Sequence, residues 1–384
     1  MGAAYVLLSV LALSNLDPVQ TSTPAAAAVP RVDLITIGVG TEMYALFGHG
    51  AIRVVHPDGE DLAYNFGGVD IEQPDFWKRV MQGRMQTYLE VTPYTDLLLK
   101  YSGEDRTIVG RTLNFTPQQT QRLITRLEQI RASDDRTYTY HYIYNNCTTK
   151  IAEVFDEVLD GKLQAQAQGR VRGTHRDWIL DRIHHLPGLY IAMDLVGNGM
   201  GDVPMTAWER QYIPEGFDQV IDAARFDNQP FVSRRYVDYR SMSHDSGVPW
   251  EWPWNKVYIL LLVPLLLIGL FRPRVTAFIW GLLATVIGLA YIGVWMGSDY
   301  VFYHGNWNML IFPSSHVLLL WAALNRRAWK SALATWYIRA HALIVALLWL
   351  LWSLDVVTQA IGPMLALGLP LSWALVVWQR RPVG

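Results

Sequence analysis

The sequence predicts an α+β domain followed by an all-α bundle of about five transmembrane helices. Residues 31–250 mix charged, polar and aromatic side chains, as a soluble globular domain does. Beyond residue 250 the chain is instead dominated by Leu, Val, Ile, Ala and Trp, with its charges confined to short clusters. We therefore assign residues 31–250 to an extracytoplasmic domain and residues 251–384 to a transmembrane domain.

The first thirty residues are typical of a secretory signal peptide. Residues 5–13 form an apolar run that is too short to span a bilayer, and residues 25–28 are alanines suited to cleavage. No Lys or Arg precedes the apolar run, which departs from the usual signal. The segment predicts that the α+β domain is exported.

Short segments rich in β-branched and aromatic residues predict the strands of the α+β domain. These strands are expected at residues 32–37, 50–56, 62–66, 107–114 and 138–143. Thr116 and Pro117 predict an N-cap and a first-turn proline ahead of an amphipathic helix at 118–131. Further helices are expected at residues 73–82, 93–101, 148–160, 174–186 and 214–225.

Apolar stretches of roughly membrane-spanning length predict the second domain. They lie at residues 256–271, 275–297, 309–324, 333–353 and 356–378. Alternate connections carry the basic residues, which are Arg272, Arg274, Arg326, Arg327, Lys330, Arg380 and Arg381. The remaining connections hold Asp299, His304 and Asp355. Because basic loops stay in the cytoplasm, this alternation places residues 31–250 outside and the C-terminus inside.

Polar residues at the outer end of the third apolar stretch are candidates for contact with lipid. Asn306, Asn308 and His316 lie there, and polar groups at membrane depth are costly enough to suggest a function. For His316 a second interpretation has equal weight, namely a histidine packed and hydrogen-bonded inside the bundle.

Composition excludes several classes of site. The net charge is −2, and no basic stripe with interleaved aromatics occurs, so a nucleic-acid partner is not expected. The chain has one cysteine, which rules out an intrachain disulfide and a zinc site built on several thiolates. We expect no metal and no cofactor.

The one cysteine, Cys147, has the setting of a nucleophile. A predicted strand ends at Ile143, a polar turn follows, and Cys147 begins an amphipathic helix. The positive end of the helix dipole stabilises a thiolate and lowers its pKa. The first amides of the helix can also bind an oxyanion, with the side chains of Asn145 and Asn146 as possible donors and Thr148 in support.

A thiol nucleophile requires a base, and His49 is the candidate. Gly48 and Gly50 flank it at the start of a predicted strand, which keeps the imidazole accessible. The nearest rival, His141, is expected inside a strand and is assigned a structural role. The third group, which would orient the imidazole, is expected on the following strand. Asn65 is favoured there, with Asp61 and Tyr64 as alternatives.

These motifs resemble the Lnb-type bacterial lipoprotein N-acyltransferases, and the resemblance covers most of the chain. It rests on Gly48-His49, Tyr64-Asn65-Phe66-Gly67, residues 76–84, Tyr88-Leu89, Asn146-Cys147-Thr148-Thr149-Lys150, Thr174-His175-Arg176-Asp177, Asp194-Leu195-Val196-Gly197, Thr206-Ala207-Trp208-Glu209, Pro214-Glu215 and the pair Asn306 and Asn308. The family more often has Asp at position 145 or 146 and Arg at position 150. Those departures affect the roles of the flanking side chains rather than the nucleophile.

The resemblance implies a permuted papain-like, NlpC/P60-related fold, in which the histidine strand precedes the cysteine helix. It implies that Cys147 takes an acyl chain from a membrane phospholipid as a thioester. The acceptor would be the α-amino group of a diacylglyceryl-modified cysteine at the N-terminus of a lipoprotein. The implied location is the bacterial cytoplasmic membrane, with the catalytic domain on the periplasmic side.

Other functions fit parts of the same pattern. A phospholipase shares the first half-reaction, and a cell-wall amidase or peptidase uses the same Cys and His machinery, although several membrane spans argue against a wall substrate. Residues 313–316, Pro-Ser-Ser-His, look like one element of a lipid-phosphatase signature, but its other elements are missing from the sequence. In a non-catalytic scaffold, Cys147 would simply be a buried side chain.

Overall fold

A computed structural model describes residues 29–243 and 256–380. The predicted signal peptide, except for its last two residues, lies outside these ranges, as does Arg381 of the last basic cluster. The predicted order, a mixed α and β domain followed by apolar helices, is confirmed within the described residues.

A seven-stranded antiparallel sheet forms the centre of the α+β domain. Its strand order is β11-β5-β1-β2-β3-β4-β6. The strands are β1 Arg31–Ile37, β2 His49–Val55, β3 Asp61–Gly68, β4 Gln86–Pro93, β5 Ile108–Leu113, β6 Thr137–Thr139 and β11 Val232–Tyr239. Four short strands form two separate pairs, β7 Arg170–Thr174 with β8 Pro204–Thr206 and β9 Arg225–Phe226 with β10 Gln229–Pro230.

Helices cover both faces of this sheet. They are α1 Phe76–Gln82, α2 Tyr94–Gly103, α3 Pro117–Ala132, α4 Cys147–Val158, α5 Lys162–Gln166, α6 His175–Arg182, α7 Pro187–Val196 and α8 Pro214–Ala223. Alternate residues of β1 separate the two cores: Leu34 packs with α3, α4 and α8, whereas Ile35 packs with α2. The predicted cap of α3 is present, because the Thr116 hydroxyl accepts the Gln119 N–H as part of a capping box.

Within the seven-stranded sheet, the sequence prediction differs from the structure at three strands. The strand expected at 138–143 ends at Thr139, because His141 and Asn145 pair with each other and turn the chain. Strand β4 was not predicted, although it lies between β3 and β6. Strand β11 was missed because it is an edge strand whose side chains are mostly exposed and charged.

The membrane domain has four segments that are long and apolar enough to cross a bilayer, within the residues described. Its helices are α9 Val257–Phe271, α10 Pro273–Gly297, α11 Asn308–Ile311, α12 Val317–Leu324, α13 Arg326–Trp329, α14 Ala332–Ser353 and α15 Gly362–Gln379. The expected count of five is not reached, because α9 has only 15 residues. The third segment is also divided, since the chain leaves the helix between α11 and α12.

The basic clusters and the α+β domain lie at opposite ends of the bundle. Arg274 donates to the carbonyl of Ala323 (2.9 Å), and Lys330 donates to the carbonyl of Gln379 (3.0 Å), which brings the basic connections together. Beyond the other end of α10, Asp299 pairs with Arg84 of the α+β domain (2.7 Å). This polarity agrees with the positive-inside rule when the α+β domain lies outside the membrane.

Candidate active site

Cys147 occupies the first position of α4, directly after the cap residue Asn146. The Asn146 side-chain oxygen accepts the N–H groups of Thr148 and Thr149 (2.9 and 3.0 Å), which closes the helix start. Among the described residues the N–H of Cys147 has no recorded acceptor, as expected for the first residue of a helix. An N–H donor therefore remains beside the thiol.

The suggested oxyanion role of the Asn145 and Asn146 side chains does not fit the structure. The Asn146 amide nitrogen donates to the carbonyls of Tyr142 (3.0 Å) and Tyr212 (2.9 Å). The Asn145 amide nitrogen donates to the carbonyl of Thr139 (2.8 Å). Both side chains thus position the loop before Cys147 rather than facing a substrate. Thr148 is buried with its hydroxyl 3.7 Å from the Cys147 sulfur.

His49 reaches the thiol because two strands separate at this end of the sheet. β2 and β3 pair from Val55 and Asp61 only as far as Ile52 and Tyr64, which leaves His49 and Asn65 beyond the last paired residues. The N-terminus of α4 packs against this opening, and Gly50 lies against Ile151 and the Thr148 hydroxyl. The missing side chain of Gly50 is what permits this approach.

Hydrogen bonds fix which ring nitrogen of His49 faces the thiol. The Asn65 amide nitrogen donates to a carboxylate oxygen of Glu90 (3.2 Å), so the amide oxygen points at His49. That oxygen lies 2.6 Å from Nε2 of His49 and can only accept, so Nε2 carries a proton. Nδ1 is then the nitrogen left to exchange a proton with Cys147, with which the imidazole is hydrogen-bonded.

The two groups shift each other's pKa toward an ion pair. Burial disfavours the Cys147 thiolate, but the charge of the His49 imidazolium and its hydrogen bond favour it. With further hydrogen bonds from the Thr148 hydroxyl and the Gly50 N–H, the pKa of the thiol falls to about 7. Burial also disfavours the charged imidazole, yet the neighbouring thiolate raises the pKa of His49 above its ordinary value.

We expect the rate of Cys147 alkylation by iodoacetamide to rise with pH through a midpoint near 7. Only the thiolate reacts, and its fraction grows as pH passes the pKa of about 7. Because the chain has one cysteine, labelled mass reports Cys147 alone. In the His49→Ala variant the midpoint should move to higher pH. A wild-type midpoint at or above that of an ordinary thiol, roughly 8.5, would contradict the ion pair.

The sequence assigns no role at the pair to three residues near it. Gly67 faces the imidazole, since a Cβ there would lie 2.5 Å from Cε1 of His49. The Tyr101 ring packs on the imidazole, with centroids 5.7 Å apart. Burial, with the Cys147 charge as a further cause, raises the pKa of the Tyr140 hydroxyl. No local pattern marks Tyr101, because it lies on a helix remote in sequence.

The substitution Gly67→Ala should disable the imidazole without unfolding the domain. The new methyl group would lie 2.5 Å from Cε1 of His49 and 3.0 Å from the Asn65 amide oxygen, so the ring must move. Without the imidazolium in place the pKa of the thiol returns to roughly 8.5 or above, so less thiolate is present at neutral pH. We expect the alkylation rate at pH 7 to fall by about tenfold or more. Gly103→Ala is the control, because a Cβ there meets no atom within 4 Å; equal rates in the two variants would refute the prediction.

The other residues considered for the catalytic pair and its orienting group lie elsewhere. Asp61 pairs with Arg53 (2.6 Å), and the Tyr64 hydroxyl donates to Glu128 (2.7 Å). His141 is in a turn, not in the expected strand. Its Nδ1 accepts the N–H groups of Ile143 and Tyr144 (3.2 Å each), so it shapes the loop that leads to Cys147.

Asn306 and Asn308 do not face lipid but join the two domains. The Asn306 amide nitrogen donates to the carbonyls of Leu195 (2.8 Å) and Val196 (2.9 Å) at the end of α7. The Asn308 amide nitrogen also donates to the Leu195 carbonyl (3.1 Å). Both asparagines are buried. They donate to the carbonyls at the C-terminus of α7, which have no partner within the helix, and so attach the α+β domain to the bundle.

His316 lies inside the bundle and is 1% exposed. Its Nδ1 is 2.6 Å from the Tyr337 hydroxyl, and its ring packs edge-on against His341. The second interpretation of this residue, a packed and hydrogen-bonded histidine, therefore fits better than contact with lipid. In the described part of the chain, no group of three or more His, Cys, Asp or Glu side chains is placed to hold a metal ion.

Comparison with known proteins places the α+β domain in a family. Residues 19–179 match the model of the Lnb N-terminal periplasmic domain. The matched range contains His49, Asn65 and Cys147 and ends within α6, ahead of the membrane helices. No curated protein and no solved structure matches the chain.

Proposed function

Because the α+β domain belongs to the Lnb periplasmic-domain family, we propose that this protein N-acylates the N-terminal diacylglyceryl-cysteine of bacterial lipoproteins. The family points to lipoprotein processing by an inner-membrane protein with a periplasmic domain. The observation that carries the finer proposal is the Cys147 and His49 pair in a domain fastened to the outer end of apolar helices. Such a site faces both a phospholipid donor and a membrane-anchored acceptor.

In the first half-reaction the Cys147 thiolate attacks an ester carbonyl of a phospholipid. The oxyanion that forms lies beside the helix start, where the Cys147 N–H is available and the dipole favours negative charge. The carbon–oxygen bond to glycerol then breaks, and the His49 imidazolium gives its proton to the leaving oxygen. The products are a thioester on Cys147 and a lysophospholipid.

In the second half-reaction the α-amino group of the lipoprotein attacks the thioester. Nδ1 of His49, now neutral, takes a proton from the amine as the carbon–nitrogen bond forms. The carbon–sulfur bond breaks and releases the thiolate, which restores the initial ion pair. Asn65 keeps Nε2 protonated throughout, so the same nitrogen serves both steps.

The decisive experiment follows the acyl group. The purified full chain is incubated with phospholipid, with and without a diacylated lipoprotein, and analysed by intact mass and lipid chromatography. The proposal requires an acyl adduct on Cys147, a matching lysophospholipid, and transfer of the acyl chain to the lipoprotein amine. An adduct that only hydrolyses identifies a phospholipase instead. Lipoprotein processing with no adduct at any time refutes the thioester route.

A further inference from the structure

The connection between β3 and β4, residues 69–85, exposes large apolar side chains on a short helix. Trp77 and Met81 of α1 are 67% and 73% exposed, and their spacing of four residues puts them on one face. Ile71, just before the helix, is 69% exposed. Neighbouring exposed apolar side chains of this size indicate a surface that contacts a membrane or another protein.

One end of this connection lies at the catalytic pair, and the other end pairs with the loop that leads to Cys147. It begins just after Gly67, which lies against the His49 ring. It ends at Met85, whose carbonyl accepts the N–H of Tyr140 (2.8 Å). Tyr140 begins the loop that leads to Cys147. The segment therefore runs from the residue that faces His49 to the loop that presents Cys147.

The far part of the same connection is fixed to the outer end of the membrane bundle. The carbonyl of Gln82, the last residue of α1, accepts the N–H of Asp299 (2.8 Å). The Asp299 carboxylate binds the Arg84 guanidinium through two hydrogen bonds (2.7 and 3.0 Å). Gly83 adopts a left-handed φ of 72° and packs on Tyr300, since a Cβ at this position would lie 3.3 Å from the Tyr300 ring. These contacts hold α1 where α10 leaves the membrane.

The charge of α1 complements phospholipid headgroups. Lys78 and Arg79 lie between the two apolar residues in sequence and form no ion pair within residues 29–243 and 256–380. With Asp75, Gln82 and Arg84 they line a cavity of about 350 Å³. Aromatic and basic residues together at the edge of a bilayer are typical of helices that lie in its interface.

We propose that α1 lies in the headgroup layer of the outer leaflet, continuous with the membrane helices. Trp77 and Met81 enter the boundary of the acyl chains, and Lys78 and Arg79 bind phosphate groups of glycerophospholipids. The segment thereby holds the Cys147 site near the depth of an ester carbonyl. Contact with the bilayer stands by itself; only the identity of the bound lipid as acyl donor rests on the proposed function.

Depth-dependent quenching tests this placement in the full-length protein. The Cys147→Ser variant has no cysteine, so Trp77→Cys or Met81→Cys in that background carries a single environment-sensitive nitrobenzoxadiazole label. The matched control is Thr125→Cys, at an exposed position of α3. Each protein is placed in nanodiscs of phosphatidylethanolamine and phosphatidylglycerol, with and without doxyl-labelled lipid. We expect the labels at 77 and 81 to lose most of their fluorescence to doxyl lipid, and the label at 125 to lose little.

The opposite result has a defined pattern. If doxyl lipid quenches the labels at 77 and 81 no more than the label at 125, and aqueous iodide quenches all three equally, α1 is not in the membrane interface. The outcome is separable from the proposed function, because the labelled proteins lack the nucleophile. Quenching at α1 in a protein whose wild type never acylates lipoprotein would leave this inference standing while the proposed function fails.

Discussion

Replacing Cys147 with serine is expected to abolish the acyl adduct and to lower acyl transfer to lipoprotein by at least about 10³-fold, because an activated nucleophile carries most of the chemistry. The site lowers the pKa of the thiol to about 7, so a thiolate is present at neutral pH. A serine hydroxyl in the same place stays protonated and needs a stronger base than a histidine set for a thiol. Intact mass after incubation with phospholipid measures the adduct directly.

The fold should survive this substitution, which separates chemistry from stability. Serine has nearly the same volume as cysteine, and Cys147 is only partly buried at the end of the core. The thermal unfolding midpoint and the circular dichroism spectrum should therefore match those of the wild type. A variant that unfolds earlier but transfers acyl chains at the wild-type rate would favour the scaffold interpretation, in which Cys147 only packs.

The parts of the candidate site that the sequence predicts have local signals. Cys147 is the candidate nucleophile because a cap residue, a polar turn and an amphipathic pattern all mark the start of a helix. His49 is the candidate base because two glycines flank it at the start of a strand. The order of the two residues and the membrane helices behind them also follow from the chain itself. None of these inferences required contacts between distant segments.

The parts that were missed depend on contacts across long stretches of chain. Asn146 was expected to face the substrate, but its amide nitrogen donates to the carbonyl of Tyr212, 66 residues later. Asn306 was expected to meet lipid, yet it binds α7, 110 residues earlier. An asparagine in a sequence does not reveal which carbonyl it will satisfy. Strand β11 was missed for a similar reason, since only pairing with β5 identifies it.

The joint between the domains connects these observations to the chemistry. The Arg176 guanidinium, with Asp202 (2.6 Å) and the Asp194 carbonyl (2.6 Å), forms a buried cluster at the end of α7. Breaking a buried charge pair of this kind is strongly destabilising. The same aspartates reach the bundle, because the Asp194 carboxylate accepts the Tyr258 hydroxyl (3.1 Å) and the Asp202 carboxylate accepts the Ala360 N–H (2.9 Å), so the cluster helps to attach the α+β domain to the membrane helices. A rigid attachment suits the proposed function, in which both substrates are confined to one leaflet.

The substitution His49→Ala is expected to lower acyl transfer at pH 7 by about 10² to 10⁴-fold, since it removes the general base and the imidazolium together. Without the imidazolium the pKa of Cys147 rises, so the thiolate becomes scarce at neutral pH. The deficit in thioester formation should accordingly shrink as pH rises past about 8.5, the value of a free thiol. The rate loss in the amine step should also become smaller at high pH, because the amine is then deprotonated without the help of His49.

A matched histidine and a double variant make this prediction specific. His185→Ala removes an exposed imidazole on the same domain and should leave transfer unchanged at every pH. The double variant Cys147→Ser with His49→Ala should be no slower than Cys147→Ser alone, because the two residues act as one unit. A deficit in His49→Ala that stays constant from pH 6 to about pH 9 would contradict the ion pair, since thiolate formation would then not depend on the imidazole. Another residue would have to activate Cys147 in that case.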